Sequence, residues 1–237
     1  MIELRDVVYR YDHVEMHFVL SVAAGTFVAV IGPSGAGKTT LLNLIAGFER
    51  PAGGSIRLDG RDVAGVPPAA RPVTTLFQEH NLFAHLTVAR NVGLGLHPGL
   101  RLTPAQHEQV AAALAVVGLA GLGGRLPRQL SGGERRRVAL ARSVVRDRKI
   151  LLLDEPFAAL DPALREEMVA LVDRLRRERG LTVLLVSHLL DEVAEHADRA
   201  VFVSDGRILA DGEPAALLAR PPVPELTAYL GRRGAGA

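Results

Sequence analysis

The stretch with the most chemistry in its spacing is Gly32-Pro33-Ser34-Gly35-Ala36-Gly37-Lys38-Thr39, a G-x-x-x-x-G-K-[ST] pattern. Its glycines let successive backbone N–H groups curl around a polyphosphate, and a helix starting there turns its positive end toward the same anion. Lys38 brings a compact charge to the outer phosphates, and the Thr39 hydroxyl is a ligand for Mg²⁺. A second stretch, Ile150-Leu151-Leu152-Leu153-Asp154-Glu155-Pro156, reads as an apolar strand ending in two carboxylates. The carboxyl edge of a parallel sheet is where ligands meet such residues. Asp154 is placed there to hold Mg²⁺, directly or through water, and Glu155 to orient and deprotonate an attacking water. Alone, the pair reads equally well as solvated loop acids; downstream of a phosphate loop it reads as catalytic.

A third stretch separates this chain from other phosphate-loop proteins. Leu130-Ser131-Gly132-Gly133-Glu134 precedes Arg135-Arg136-Arg137-Val138-Ala139-Leu140-Ala141, where a helix is expected to begin at Arg135. A Ser-Gly-Gly at a helix start is a second anion-binding terminus, and one nucleotide does not need two from one chain. Taken by itself it is an ordinary serine-capped helix. Together with the first two stretches, LSGG-E-RRRVALAR resembles the signature of the ABC-transporter ATPases. A phosphate-loop kinase or GTPase would have no need of it.

The resemblance covers essentially the whole chain and supplies further expectations. It implies that Gln78, in Leu76-Phe77-Gln78-Glu79, is the Q-loop glutamine contacting Mg²⁺ or its water, and that His188 is the switch histidine contacting the γ-phosphate. Asp161 in Ala159-Leu160-Asp161 would be the D-loop residue touching an opposite subunit, besides capping its own helix. Tyr11 would stack on adenine, and Gly32 through Thr40 would hold the phosphates. The implied assembly is a head-to-tail homodimer with ATP and Mg²⁺ at the interface, where Ser131, Gly132, Gly133 and Glu134 reach the ATP of the partner. The sequence departs from the commonest pattern at Glu134, where Gln is more usual, and at Ala158, where Ser is.

The resemblance also implies partners. The stretch from Gln78 to Leu100, with Leu82, Phe83, Leu86 and Val88, would receive a helix from an integral membrane permease, or in part close the local core. A periplasmic solute-binding protein would act indirectly, and no nucleic acid is expected. The implied location is the cytoplasmic face of the bacterial inner membrane, as a peripheral subunit. Three long stretches, around the phosphate loop, from Arg71 to Leu102 and from Ile150 to Met168, resemble the ATP-binding subunits of bacterial thiamine importers. Thiamine and its phosphates are then the implied cargo. An importer ATPase for an inorganic ion or polyamine stays open. A soluble ABC ATPase of DNA repair or translation is disfavoured by the lack of a long coiled coil or a second cassette.

Composition and patterning set the frame that must position these residues. The chain has 237 residues, 48% hydrophobic and 23% charged, a globular balance. A net charge of +2 excludes a charge-driven nucleic-acid binder, and the lack of cysteine excludes disulfide scaffolds, thiolate metal sites and cysteine nucleophiles. The amino terminus carries Glu3, Arg5 and Asp6 and no apolar leader core. The longest apolar stretch, Val110 to Leu122, is interrupted by Gly118 and Gly121 and is shorter than the roughly 20 residues a bilayer requires.

Apolar runs predict buried strands at Thr26–Ile31, Val73–Phe77, Ile150–Asp154, Val183–Ser187 and Ala200–Val203, preceded by antiparallel strands at Ile2–Val8 and His17–Val22. Helices are predicted at Thr40–Ile45, from the Thr103 capping box to Gly118, and from Asp161-Pro162 to Gly180. The span from His85 to Leu130 reads as a helical insertion. With the resemblance, the expectation is an α/β fold: a P-loop NTPase (RecA-like) core with an N-terminal antiparallel β subdomain and an inserted α-helical subdomain (about 85–130), in one domain over residues 1–237. Arg174 to Arg179 read as a solvated helix end, the remaining histidines as surface or packing residues, and the tail from Pro221 as a Pro- and Gly-punctuated segment that frays at its end.

Overall fold

The computed structural model describes residues 1–76, 82–158, 160–188 and 193–234, with side chains as far as 231. Gln78, Phe77 and Ala159 therefore lie outside the described residues. The strands are β1 (Ile2–Tyr11), β2 (Val14–Val22), β3 (Phe27–Ile31), β4 (Gly53–Leu58), β5 (Arg61–Asp62), β6 (Val73–Leu76), β7 (Ile150–Asp154), β8 (Thr182–Val186), β9 (Arg199–Ser204) and β10 (Arg207–Gly212). Among the described residues they form one ten-stranded sheet in the order β5-β4-β1-β2-β10-β9-β3-β8-β7-β6. The half from β9 to β6 is parallel, and β1 pairs antiparallel with β2 and β4.

Residues β3 and β8 are buried along their whole length because both faces are covered. Phe27, Ala29 and Ile31 enter one core while Val28 and Val30 enter the other, and Leu151 and Leu152 divide in the same way. A strand with two apolar faces shows no polar alternation, which is why these strands are legible as continuous runs. β4, β5 and β10 were not expected. They carry few buried residues, and their signal lies in the turns: Asp59-Gly60 and Asp205-Gly206 both have positive φ, the Asp-Gly hairpin pattern.

The helices are α1 (Lys38–Ala46), α2 (Val88–Gly93), α3 (Pro104–Val116), α4 (Gly132–Val144), α5 (Pro162–Arg179), α6 (Pro214–Ala219) and α7 (Pro224–Gly234). Thr103 and Gln106 form the expected capping box on α3, and α5 runs from an Asp161 cap to a left-handed Gly180. α4 starts at Gly132 and not at Arg135, because Ser131 is its cap. Between β6 and β7 the described residues form α2, α3 and α4, which pack on one another, and no strand.

Two segments show more than the sequence reading gave. The tail is a helix with Leu226 buried and the Tyr229 ring 5.4 Å from Phe202. The arginine-rich end of α5 is only partly solvated: Arg176 pairs with Asp173 at 2.8 Å and with Asp198 at 3.1 Å, and donates to the Gly25 carbonyl at 2.7 Å.

Candidate active site

The adjacency of β3, β8 and β7 brings three chain segments to one edge of the sheet. β3 delivers the phosphate loop, β7 delivers Asp154 and Glu155, and β8 delivers His188 just beyond its end. At the start of the loop only glycine fits: Gly32 has φ +150°, and a Cβ there would lie 2.0 Å from the Val203 carbonyl oxygen on β9. Gly37 caps α1 with φ +100° and no side-chain bond, so the first-turn N–H groups of α1 are left for a ligand.

A cavity of about 240 Å³ forms there, lined by Ser34, Lys38, Thr39 and Thr40 together with Glu155 and His188. Lys38 is 5% exposed, and its Nζ donates to the carbonyls of Gly32 at 2.9 Å and Pro33 at 2.8 Å. Met16 on β2 also lines the cavity, and its sulfur packs against Gly37. Nothing in its local sequence distinguishes it from a packing residue.

Burial holds the Asp154 carboxyl above the usual carboxylate range, although the Thr39 hydroxyl bonds to it and Lys38 is close. Its Oδ1 is buried without a hydrogen-bond partner. A hard, unsatisfied carboxylate oxygen beside a threonine hydroxyl is a donor set that fits Mg²⁺. Glu155 adopts φ +45°, a conformation that costs energy in a residue with a side chain and that holds its carboxylate out of line with β7. Its Oε1 lies 2.5 Å from His188 Nε2.

The remaining residues singled out in the sequence are placed elsewhere. Ser131 and Glu134 close a reciprocal capping box, with Glu134 N–H donating to Ser131 Oγ at 3.1 Å and Ser131 N–H donating to Glu134 Oε2 at 2.7 Å. The backbone bond from Ser131 holds the Glu134 carboxyl below its usual range. The glutamate thus has a local role at the position where glutamine is commoner. Neither these two residues nor Gly132 and Gly133 line the 240 Å³ cavity of their own chain. Asp161 caps α5 by accepting from Leu164 N–H at 3.0 Å. Tyr11 ends β1, is 64% exposed and does not line the cavity either. Arg135 donates to the Leu130 carbonyl and Arg137 to Glu167, which accounts for two of the three consecutive arginines.

A second groove, of about 680 Å³, runs between the end of α1 and the helical layer, lined in part by Phe48, Leu94, Leu96, Pro98, Arg146 and Arg148. Phe48 is 52% exposed. Of the residues expected to face a partner, Leu86 and Val88 are buried in the core, while Phe83 is exposed.

A parallel sheet with a phosphate loop and strand-end carboxylates at one edge, and a helical layer inserted between two of its strands, is the architecture of a P-loop ATPase of the cassette class. The family model described as ABC transporter matches residues 16–158, and the chain belongs to that family. It is 55% identical over 218 residues to the thiamine import ATP-binding protein ThiQ of Shigella boydii serotype 4, covering 92% of this chain and 94% of that one. It is 53% identical over 233 residues to the ThiQ of Photorhabdus laumondii, covering 98% of both. Among solved structures it resembles the ATP-binding cassette MJ1267 of an ABC transporter, with a TM-score of 0.87 and 25% identity over 96% of this chain and 98% of that one. It also resembles the dimeric post-hydrolysis state of the cassette MJ0796 bound to ADP and Pi, with a TM-score of 0.78 and 28% identity over 90% of this chain and 99% of that one. Among the described residues no helix is long and apolar enough to cross a membrane.

Proposed function

We propose that this chain is the ATP-hydrolysing subunit of a thiamine importer, seated peripherally on the cytoplasmic face of the bacterial inner membrane. The observation that carries the ATPase reading is the convergence of Lys38, Thr39, Glu155 and His188 on one cavity at a helix start. The cargo reading is carried by identity above 50% along nearly the whole chain to proteins named for thiamine import.

In this reading the phosphates of ATP lie in the loop from Gly32 to Thr40, against the N–H groups of α1. Lys38 exchanges its two loop carbonyls for phosphate oxygens, a move within reach of a side chain already inside the cavity. Thr39 and Asp154, with Gln78, would hold Mg²⁺, which supplies charge neutralisation across the phosphates. Glu155 orients the attacking water and accepts its proton, and His188 donates a hydrogen bond toward the γ-phosphate. The products are ADP and phosphate. Tyr11 would meet the adenine from its exposed position at the end of β1.

Within one chain the residues Ser131 to Glu134 at the start of the signature helix do not line the phosphate-loop cavity. A head-to-tail homodimer joins them, with Ser131 to Glu134 completing the partner's ATP site and Asp161 adjoining the same interface. ATP then bridges two subunits, and its hydrolysis removes the bridge. The groove between α1 and the helical layer, with exposed Phe48 and basic Arg146 and Arg148 along it, is the docking place this reading gives to the membrane permease. A solute-binding protein would act on the far side of that permease.

Uptake of labelled thiamine tests the whole reading, in a host lacking its own copy of the gene and complemented with wild type or Glu155→Gln. Uptake restored by wild type alone is the expected result. No uptake with either, at normal expression beside the native permease, would remove thiamine and leave the ATPase.

A further inference from the structure

The C-terminal helix α7 reaches the site through a hydrogen bond from the Tyr229 hydroxyl. β8 makes a last backbone contact at Ser187, whose N–H donates to the Val30 carbonyl at 3.1 Å. His188 follows, beyond the strand, and its carbonyl accepts a hydrogen bond from the Tyr229 hydroxyl at 2.9 Å. Tyr229 is itself fixed from behind. Its ring lies 5.4 Å from Phe202, and Leu226, one turn earlier on α7, is buried in the core. Phe202 sits on β9 opposite Ile31, the last residue of β3 before the phosphate loop. On its other side His188 meets Glu155 at 2.5 Å.

We infer that Tyr229 is a positioning residue for the His188 imidazole, and that α7 thereby sets the efficiency of hydrolysis. The inference rests on the reading of His188 as a residue of the ATP site. A side chain that hydrogen-bonds the γ-phosphate from the end of a strand works only if its backbone is held, because small displacements of a catalytic group cost large factors in rate. The Tyr229 hydroxyl holds that backbone from a helix anchored in the core by Leu226, across 41 residues of sequence. Hydroxyl and ring have separable duties: the ring packs on Phe202, and the hydroxyl donates to the His188 carbonyl.

The test compares the full-length wild type with Tyr229→Phe, His188→Ala and the double variant, by steady-state and single-turnover ATP hydrolysis and by thermal unfolding. Tyr229→Phe keeps the ring and removes the bond. It is expected to lower kcat about fivefold, with the KM for ATP unchanged within about twofold, because the lost geometry matters in the transition state and not in nucleotide binding. Its unfolding midpoint should match wild type, which separates positioning from loss of folded protein. In the His188→Ala background the same substitution should have no further effect on the single-turnover rate. Tyr229→Phe with wild-type kcat, a loss of rate accounted for by lost folded protein, or an equal loss in both backgrounds would each overturn the inference. Wild-type hydrolysis by His188→Ala would instead overturn the role given to His188, and the inference with it.

Discussion

Glu155 Oε1 and His188 Nε2 are 2.5 Å apart, although 33 positions separate the two residues in the chain. The pair forms because β7 and β8 are parallel neighbours, with Asp154 in register with Val186, so that the residues just beyond each strand meet. Whatever Glu155 does to a water, it does with the imidazole as its immediate neighbour.

Replacing Glu155 by glutamine keeps the size and one acceptor but removes the base. Hydrolysis should fall by about two to three orders of magnitude. ATP binding should persist, and gel filtration with ATP should show a dimer. Hydrolysis at the wild-type rate would assign the base to another residue.

Asp154 carries a buried oxygen with no partner, and burial raises its carboxyl above the usual range. Ionised, it therefore weakens the metal-free fold, and relieving that charge should help it. Asp154→Asn is expected to unfold at the same temperature as wild type or higher in the presence of EDTA. The Mg²⁺ concentration for half-maximal hydrolysis should rise at least about tenfold. A variant destabilised in EDTA would show that the carboxylate is structural.

Asp173 gives the opposite sign. It is 3% exposed, and burial alone would raise its carboxyl; Arg176 and Arg177 outweigh that and hold it below the usual range, with His196 at 3.5 Å on the same carboxylate. A depressed folded-state value stabilises the protein above the ordinary carboxylate pKa and is lost as pH falls through the folded value. Asp173→Ala should cost about 3 kcal/mol at pH 7, read by urea unfolding. The difference from wild type should shrink in acid below the ordinary carboxylate range, and a gap independent of pH would mean lost packing.

Arg71 is 2% exposed and bonds four main-chain carbonyls: Leu44 at 2.7 Å, Ile45 at 2.8 Å, Val63 at 2.9 Å and Val66 at 3.0 Å. The first two belong to the last turn of α1, so the guanidinium ties the helix behind the phosphate loop to the segment after β5. Arg71→Met fills the space but takes the guanidinium donor from the Leu44, Ile45 and Val66 carbonyls, leaving Val63 its bond from the Val66 N–H, and should cost about 4 kcal/mol in chemical unfolding. Arg71→Lys should recover only part of that, because an ammonium cannot span four carbonyls from a planar fork.

Locally encoded features were legible in the residues alone. The phosphate loop needs glycine where φ is positive or a neighbouring backbone is close, and Lys38 and Thr39 at set offsets, so its chemistry is written in one short stretch. Apart from Thr182 and the terminal Asp154, β3, β7 and β8 are apolar because both faces are covered, and the Thr103 and Asp161 caps announce α3 and α5. β4, β5 and β10 escaped because their strands are short or half-polar, although their Asp-Gly turns carried the signal.

The tertiary structure alone decided which of these stretches meet. Strand order places the ends of β3, β7 and β8 side by side, and no period in the sequence encodes strand order. It set the Glu155–His188 pair, left Asp154 Oδ1 without a partner, brought Met16 to the phosphate cavity, and turned the tail into a helix that reaches His188. Each depends on residues distant in the chain, whose contact is selected by the packing of whole elements and not by any local preference.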